Sequence, residues 1–158
     1  MSAAEVVAAA RASGQMIALA ESCTGGLLSA ALTQIAGASE VFERAFITYS
    51  NTAKQEMLGV TPEALAKFGA VSEQVASQMA QGVLTRSNAT LAVSVTGIAG
   101  PGPSEHKPEG RVCFGIATPQ KTHSQTVEFG ALGRDTVRQA AVEFALTLLL
   151  QELSRKPV

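Results

Sequence analysis

Metal-free attack on a carbonyl carbon needs a nucleophile, a base to take its proton, and donors for the negative charge that develops on oxygen. One short stretch of this chain supplies much of that set. Ala20-Glu21-Ser22-Cys23-Thr24-Gly25-Gly26 places a hydroxyl beside a thiol, between an apolar run and a helical pattern. Met16-Ile17-Ala18-Leu19-Ala20 predicts a buried strand over 15–20. Leu27, Leu28, Ala31, Leu32 and Ile35 recur at helical spacing and predict a helix over 24–36. A helix starting there would turn unpaired N–H groups and the positive end of its dipole toward a ligand, so the amides around Thr24 and Gly25 are candidate oxyanion donors. Gly25 and Gly26 permit close approach of a ligand to the backbone. Ser22 and Cys23 are both candidate nucleophiles: a buried cysteine is usually inert packing, yet a helix start lowers a thiol pKa. Glu21 is either a substrate contact or an acceptor for nearby backbone N–H groups.

The base is narrowed by composition. No aspartate precedes Asp135, and the two histidines, His106 and His123, fall in a long loop and a hairpin turn. A Ser-His-Asp arrangement is therefore disfavoured, and lysine is the available base. Such a lysine must be desolvated, or set beside positive charge, to bring its pKa down from about 10.4. No residues stand at metal-ligand spacing, so no metal or cofactor is expected and activity should resist chelators.

These groups have to be positioned by the rest of the chain. Further strands are predicted over 45–49 and 91–96, with a hairpin over 112–117 and 124–129. Helices are predicted over 5–12, from an Asn51 cap to Leu58, from Thr61-Pro62 to Gly69, from a Ser72 cap to about Ser87, and over 135–153. Val41–Arg44 reads as a turn. This mixture implies an α/β sandwich on a mixed sheet, in one domain over 1–158. If the first three strands are parallel, the turns at 21–26, 50–54 and 97–110 share one edge and build one pocket. The glycines of Thr96-Gly97-Ile98-Ala99-Gly100-Pro101-Gly102-Pro103 offer amides suited to a phosphate, although neither a Walker A nor a dinucleotide fingerprint is present. Arg134 and Arg138 open the last helix, where cations oppose the dipole. A phosphate partner would justify them; a surface ion pair with Asp135 or Glu143 is the alternative.

Several classes are disfavoured by the whole. Of 158 residues, 46% are hydrophobic and 16% charged, with net charge −1, which argues against a nucleic-acid surface. The apolar run from Phe144 to Leu150 falls far short of the roughly 20 residues needed to span a bilayer. No basic segment followed by a long apolar stretch opens the chain. Two cysteines suit reduced thiols and a cytoplasmic location.

Five motifs then occur in order: the stretch 20–26; Thr48-Tyr49-Ser50-Asn51-Thr52-Ala53-Lys54 with Leu58-Gly59-Val60; Gly69-Ala70-Val71-Ser72-Glu73; Ser94-Val95-Thr96-Gly97-Ile98-Ala99-Gly100-Pro101; and Lys107-Pro108-Glu109-Gly110. Together they resemble the C-terminal domain of the competence/damage-inducible protein CinA, over most of the chain. The resemblance implies a three-layer α/β/α sandwich on a mixed, mostly parallel sheet, like the anticodon-binding domains. It implies hydrolysis of nicotinamide mononucleotide to nicotinate mononucleotide and ammonia by a homo-oligomer, without cofactor. Chemistry and resemblance agree on Ser22 as nucleophile and Lys54 as base, with Tyr49 orienting Lys54 or stacking on the pyridinium ring. Thr24, Gly25, Gly26, Glu21, Asn51, Thr96, Gly97, Gly100 and Arg134 complete the expected oxyanion and substrate set. Glu109 departs from the family pattern, which has an apolar residue there, and weakens the phosphate role of the glycine loop. Two other readings stand beside this one: a nucleotide-binding or regulatory module that catalyses nothing, and an amidase acting on another small carboxamide through Cys23.

Overall fold

The computed structural model describes residues 3–155. In chain order the elements are α1 (Ala3–Ser13), β1 (Ile17–Glu21), α2 (Leu27–Thr33), β2 (Phe42–Ile47), α3 (Asn51–Leu58), α4 (Pro62–Phe68), α5 (Glu73–Thr85), β3 (Leu91–Gly97), β4 (Arg111–Ala117), β5 (Thr122–Glu128) and α6 (Arg134–Leu153). The strands form one sheet in the order β2-β1-β3-β4-β5. β1 pairs in parallel with β2 and with β3, while β4 runs antiparallel to both β3 and β5. Every strand but β4 therefore points the same way, and β1, β2 and β3 end on one edge.

Alternation along the strands sorts side chains by size between the two faces. Ile17 and Leu19 of β1, with Val93, Phe114 and Ile116, pack under α1, α2 and α6. Ala18 and Ala20, with Ala92 and Ala117, meet α5 through Val75, Met79 and Val83. The second face is lined by small residues because α5 lies very close to the sheet. Ser94 Oγ donates to Ala76 O at 2.6 Å and accepts from Gly115 N at 3.1 Å. A side chain at Gly115 would collide with the helix backbone. Large residues on one face and small on the other thus fix which helices cover which side. No helix among the described residues is long and apolar enough to cross a membrane.

Several expected boundaries move by a residue or two, as in β1, β5 and the end of α5, and three differences beside the site have a clear physical cause. β2 begins at Phe42, inside the predicted turn, and stops at Ile47. Glu43 and Arg44 interrupt the apolar run, but this is a half-buried edge strand, so only Phe42, Ala45 and Phe46 need to face cores. α2 starts at Leu27 rather than 24, because Gly26, at φ 108°, is its cap and residues 22–25 form a separate turn. α3 is capped by Ser50, whose Oγ accepts from Ala53 N at 3.0 Å; Asn51 is its first residue and not its cap.

Candidate active site

The shared edge of β1, β2 and β3 carries a cavity of about 310 Å³, at the lower end of small-molecule sites. Its lining brings together Ser22, Cys23, Tyr49, Asn51, Lys54, Thr96, Gly97, Gly100 and Arg134. Glu21, Thr24, Gly25 and Gly26 are not part of that lining.

Ser22 follows β1 directly, and its amide donates to Val95 O at 3.0 Å, so the sheet holds its backbone in place. Lys54 comes from the first turn of α3 and is 1% exposed. Its Nζ lies 3.0 Å from Ser22 Oγ, 2.7 Å from Thr48 O and 3.4 Å from Tyr49 O. A neutral amine has two N–H donors and one lone pair; two carbonyls and one hydroxyl match that inventory. Burial lowers the Lys54 pKa from 10.5 to about 8, since desolvation penalises the charged form. No carboxylate reaches it within hydrogen-bonding distance among the described residues, though Glu105 at the cavity wall attracts its charge and opposes part of the shift. A lysine so placed can take a proton from Ser22 close to neutral pH.

Cys23 is buried, and desolvation pushes its thiol up to about 12, which leaves almost no thiolate at neutral pH. The helix-start effect proposed for it from sequence is lost because α2 begins later. Gly97 makes room for this thiol: a Cβ there would lie 3.1 Å from Cys23 Sγ.

Glu21 is a structural acceptor, contrary to its placement in the substrate set. It is fully buried, and its carboxylate accepts from the amides of Gly26, Leu28 and Ser29 at 3.2, 3.0 and 2.9 Å and from Ser29 Oγ at 2.5 Å. The positive end of α2 is therefore neutralised from within. Glu21→Ala is expected to lower the unfolding free energy by about 2–4 kcal/mol, because those amides lose their acceptor in a dry site. Urea titration checks this, and a midpoint equal to wild type would mean the carboxylate is dispensable to the fold.

The same bonds remove Gly26 N–H as an oxyanion donor, and Gly25 N–H is committed to Ser22 O at 3.0 Å. Of the expected trio, the Thr24 amide alone has no acceptor among the described residues. Thr24 Oγ1 is also buried and without a partner among them.

Tyr49 does not orient Lys54 through its phenol. Its carbonyl faces Lys54, while its ring is exposed and its hydroxyl accepts from Arg134 Nη2 at 2.8 Å. Arg134 Nη1 donates to Gly100 O at 2.7 Å, which ties α6 to the glycine loop. Thr96 is on the wall, its hydroxyl donating to Ala70 O at 2.9 Å. The loop at 97–110 is not an open phosphate cradle: Gly102 N–H donates to the Glu109 carboxylate, Ser104 N–H to Lys107 O, and Gly110 N–H to Ile98 O. Glu109 thus fills, from inside the loop, a position that an anion would otherwise take. Arg138 points away from the cavity, to the carbonyls of Cys23 and Thr24 at 3.0 and 3.2 Å. The two arginines at the start of α6 are explained by these carbonyls and the Tyr49 hydroxyl, which outweigh the unfavourable dipole.

Comparison with known proteins gives concordant matches. The model of the CinA C-terminal domain matches residues 1–153. A "Nicotinamide-nucleotide amidohydrolase PncC" of Enterobacter agglomerans is 48% identical over 149 residues, 94% of this chain and 91% of that protein. A "CinA-like protein" of Syntrophobacter fumaroxidans is 50% identical over 145 residues, 91% of this chain but 34% of that protein, so the chain spans about a third of the longer relatives it matches. Among solved structures, the competence/damage inducible protein CihA from Agrobacterium tumefaciens superposes with a TM-score of 0.87 at 46% identity, covering 96% of each chain.

Proposed function

Since this chain belongs to the CinA C-terminal domain family, we propose that it is a nicotinamide-nucleotide amidase, releasing ammonia from nicotinamide mononucleotide through a Ser22–Lys54 pair, with residues 1–158 working as one amidase unit. The relatives that match along most of their length bear that activity in their names. The observation that carries the mechanism is Lys54 Nζ, buried and 3.0 Å from Ser22 Oγ.

In this reading neutral Lys54 takes the Ser22 proton as Oγ bonds to the carboxamide carbon. The tetrahedral adduct carries its negative charge on the former carbonyl oxygen. Collapse breaks the C–N bond; the proton held by Lys54 passes to the leaving nitrogen, and ammonia departs from an acyl-Ser22 ester. Lys54, neutral again, deprotonates a water that attacks the ester, and the proton returns to Ser22 as nicotinate mononucleotide leaves. The phosphate is assigned to Arg134 rather than to the glycine loop, whose Gly102 amide is already taken by Glu109. The exposed Tyr49 ring is suited to the flat, cationic pyridinium.

The thiol reading loses support from the Cys23 pKa of about 12. The binding-module reading leaves unexplained why a buried lysine faces a serine hydroxyl with no carboxylate in hydrogen-bonding contact among the described residues, an arrangement that costs stability. The test is ammonia release from nicotinamide mononucleotide by the purified protein, with Arg134→Ala alongside. Turnover is expected in wild type, with KM for the nucleotide raised at least about tenfold in the variant. A folded wild type that releases no ammonia would overturn the amidase assignment.

A further inference from the structure

We infer that Glu105 makes this site select a positively charged ring, as the counter-charge to the pyridinium; this rests on the amidase reading above. The cavity lining holds three side chains that can carry charge: Lys54, Arg134 and Glu105. Lys54 must be neutral to act as base, and Arg134 is assigned to the phosphate. Glu105, the one carboxylate in the lining, has no part in the steps above. Nicotinamide mononucleotide carries a negative phosphate and a positive ring, and a cavity with one guanidinium and one carboxylate matches that pair. A neutral ring would leave the carboxylate without a counter-charge.

A braced turn sets Glu105 in the cavity wall. Ser104 and Lys107 pair as a short antiparallel bridge through N–H···O bonds of 3.1 and 2.8 Å, and Glu105 and His106 between them stand at φ 52° and 63°. Residues other than glycine hold such backbone only where their surroundings enforce it. Here the segment after α4 does so. Lys107 Nζ donates to Phe68 O and Val71 O at 2.5 Å each, and Glu105 Oε2 accepts from Ala70 N at 3.1 Å. Gly69 leaves the room, since a Cβ there would collide with Oε2. Lys107 Nζ stays 4.0 Å from Oε2, so it braces the carboxylate without taking up its lone pairs. Oε1 has no donor among the described residues and is available to a ligand. The charge of Glu105 also reaches Lys54, so it is felt at the end of the cavity where the carboxamide must sit.

The test compares two nucleotides that share carboxamide, ribose and phosphate: nicotinamide mononucleotide and its reduced form, whose dihydropyridine ring is uncharged. Dissociation constants are measured by titration calorimetry in Ser22→Ala protein, where neither is consumed. With Glu105 present, the cationic nucleotide should bind about tenfold more tightly than the reduced one. Glu105→Gln keeps an oxygen for the Ala70 amide and removes the charge. It is expected to weaken the cationic nucleotide about tenfold and to change the reduced one less than about threefold. The side chain is 39% exposed, and solvent screening keeps the effect to that size. Glu105→Lys should weaken the cationic nucleotide further and so reverse the preference. Urea midpoints are measured in parallel, and Glu105→Gln carries the comparison if Glu105→Lys does not fold.

Equal weakening of both nucleotides in Glu105→Gln would overturn the inference, since the carboxylate would then serve the shared ribose or the loop itself. So would unchanged affinities, or no preference between the nucleotides while Glu105 is present. Because binding is read without turnover, the two readings fail separately. A charge preference that Glu105→Gln abolishes, in a protein whose wild type releases no ammonia, would refute the amidase and uphold the selection. Ammonia release with no charge preference would do the reverse.

Discussion

Lys54→Met is expected to lower kcat/KM for ammonia release by at least about 10³-fold, because Ser22 then has no base and the leaving nitrogen no proton donor. Methionine roughly keeps the volume that the buried side chain fills, so the loss reports chemistry rather than a cavity. In wild type the acid limb of kcat/KM should follow deprotonation of Lys54, rising about tenfold per pH unit below an apparent pKa of about 8. The same shift has a thermodynamic consequence with a definite sign. Between about 8 and 10.5 the unfolded chain keeps the Lys54 proton that the folded chain has lost, so folded stability rises with pH across that window. Below pH 8 both states hold the proton, and the full cost of burying the cation is present. Lys54→Met has no such cost, and its stability relative to wild type should be greater at pH 7 than at pH 10. Urea midpoints at the two pH values decide this; a difference that does not change with pH would mean that burial leaves Lys54 unshifted. An active Lys54→Met enzyme would remove the base from the mechanism.

Ser22→Ala should be as damaging, by about 10³-fold or more, whereas Cys23→Ala should retain activity within about threefold. The two residues are adjacent, so the pair of variants separates hydroxyl from thiol in nearly the same backbone. Ser22 Oγ lies 3.0 Å from the lysine, while burial raises the Cys23 thiol to about 12 and Gly97 packs against it. Cys23→Ala is expected to show a modest loss of stability, on the order of 1 kcal/mol, from the vacated space beside Gly97. An inactive Cys23→Ala enzyme with Ser22→Ala still turning over would transfer the nucleophile to sulfur.

Much of the architecture was legible because it rests on short-range chemistry. β1 and β3 are buried on both faces and read as mostly apolar runs, ending in Glu21 in β1 and interrupted by Ser94 and Thr96 in β3. Thr61 and Ser72 cap α4 and α5 where their hydroxyls stand three residues before a free amide. β2 was shifted because an edge strand buries only part of its surface, so Glu43 and Arg44 disguise it. The late start of α2 was missed because Gly26 caps it without a side chain and its amides are met by Glu21, a residue lying before the turn. A carboxylate just before a glycine pair, with Ser29 a helix turn further on, is the signal that could have shown it.

The sequence by itself determined the inventory of this site: a serine beside a cysteine after a buried strand, Lys54 on a short capped helix, a glycine loop, and two arginines at a helix start. Those follow from residue type and local periodicity, which each stretch of chain carries alone. Tertiary structure decided which members of the inventory meet. Ser22 and Lys54, 32 positions apart, come within 3.0 Å because β1 and β2 are parallel neighbours that end on one edge. Arg138, 115 positions from Cys23, reaches its carbonyl because α6 packs across the sheet against α2. Burial, which lowers the Lys54 pKa and raises that of Cys23, comes from the surrounding packed elements together and is encoded in no single segment.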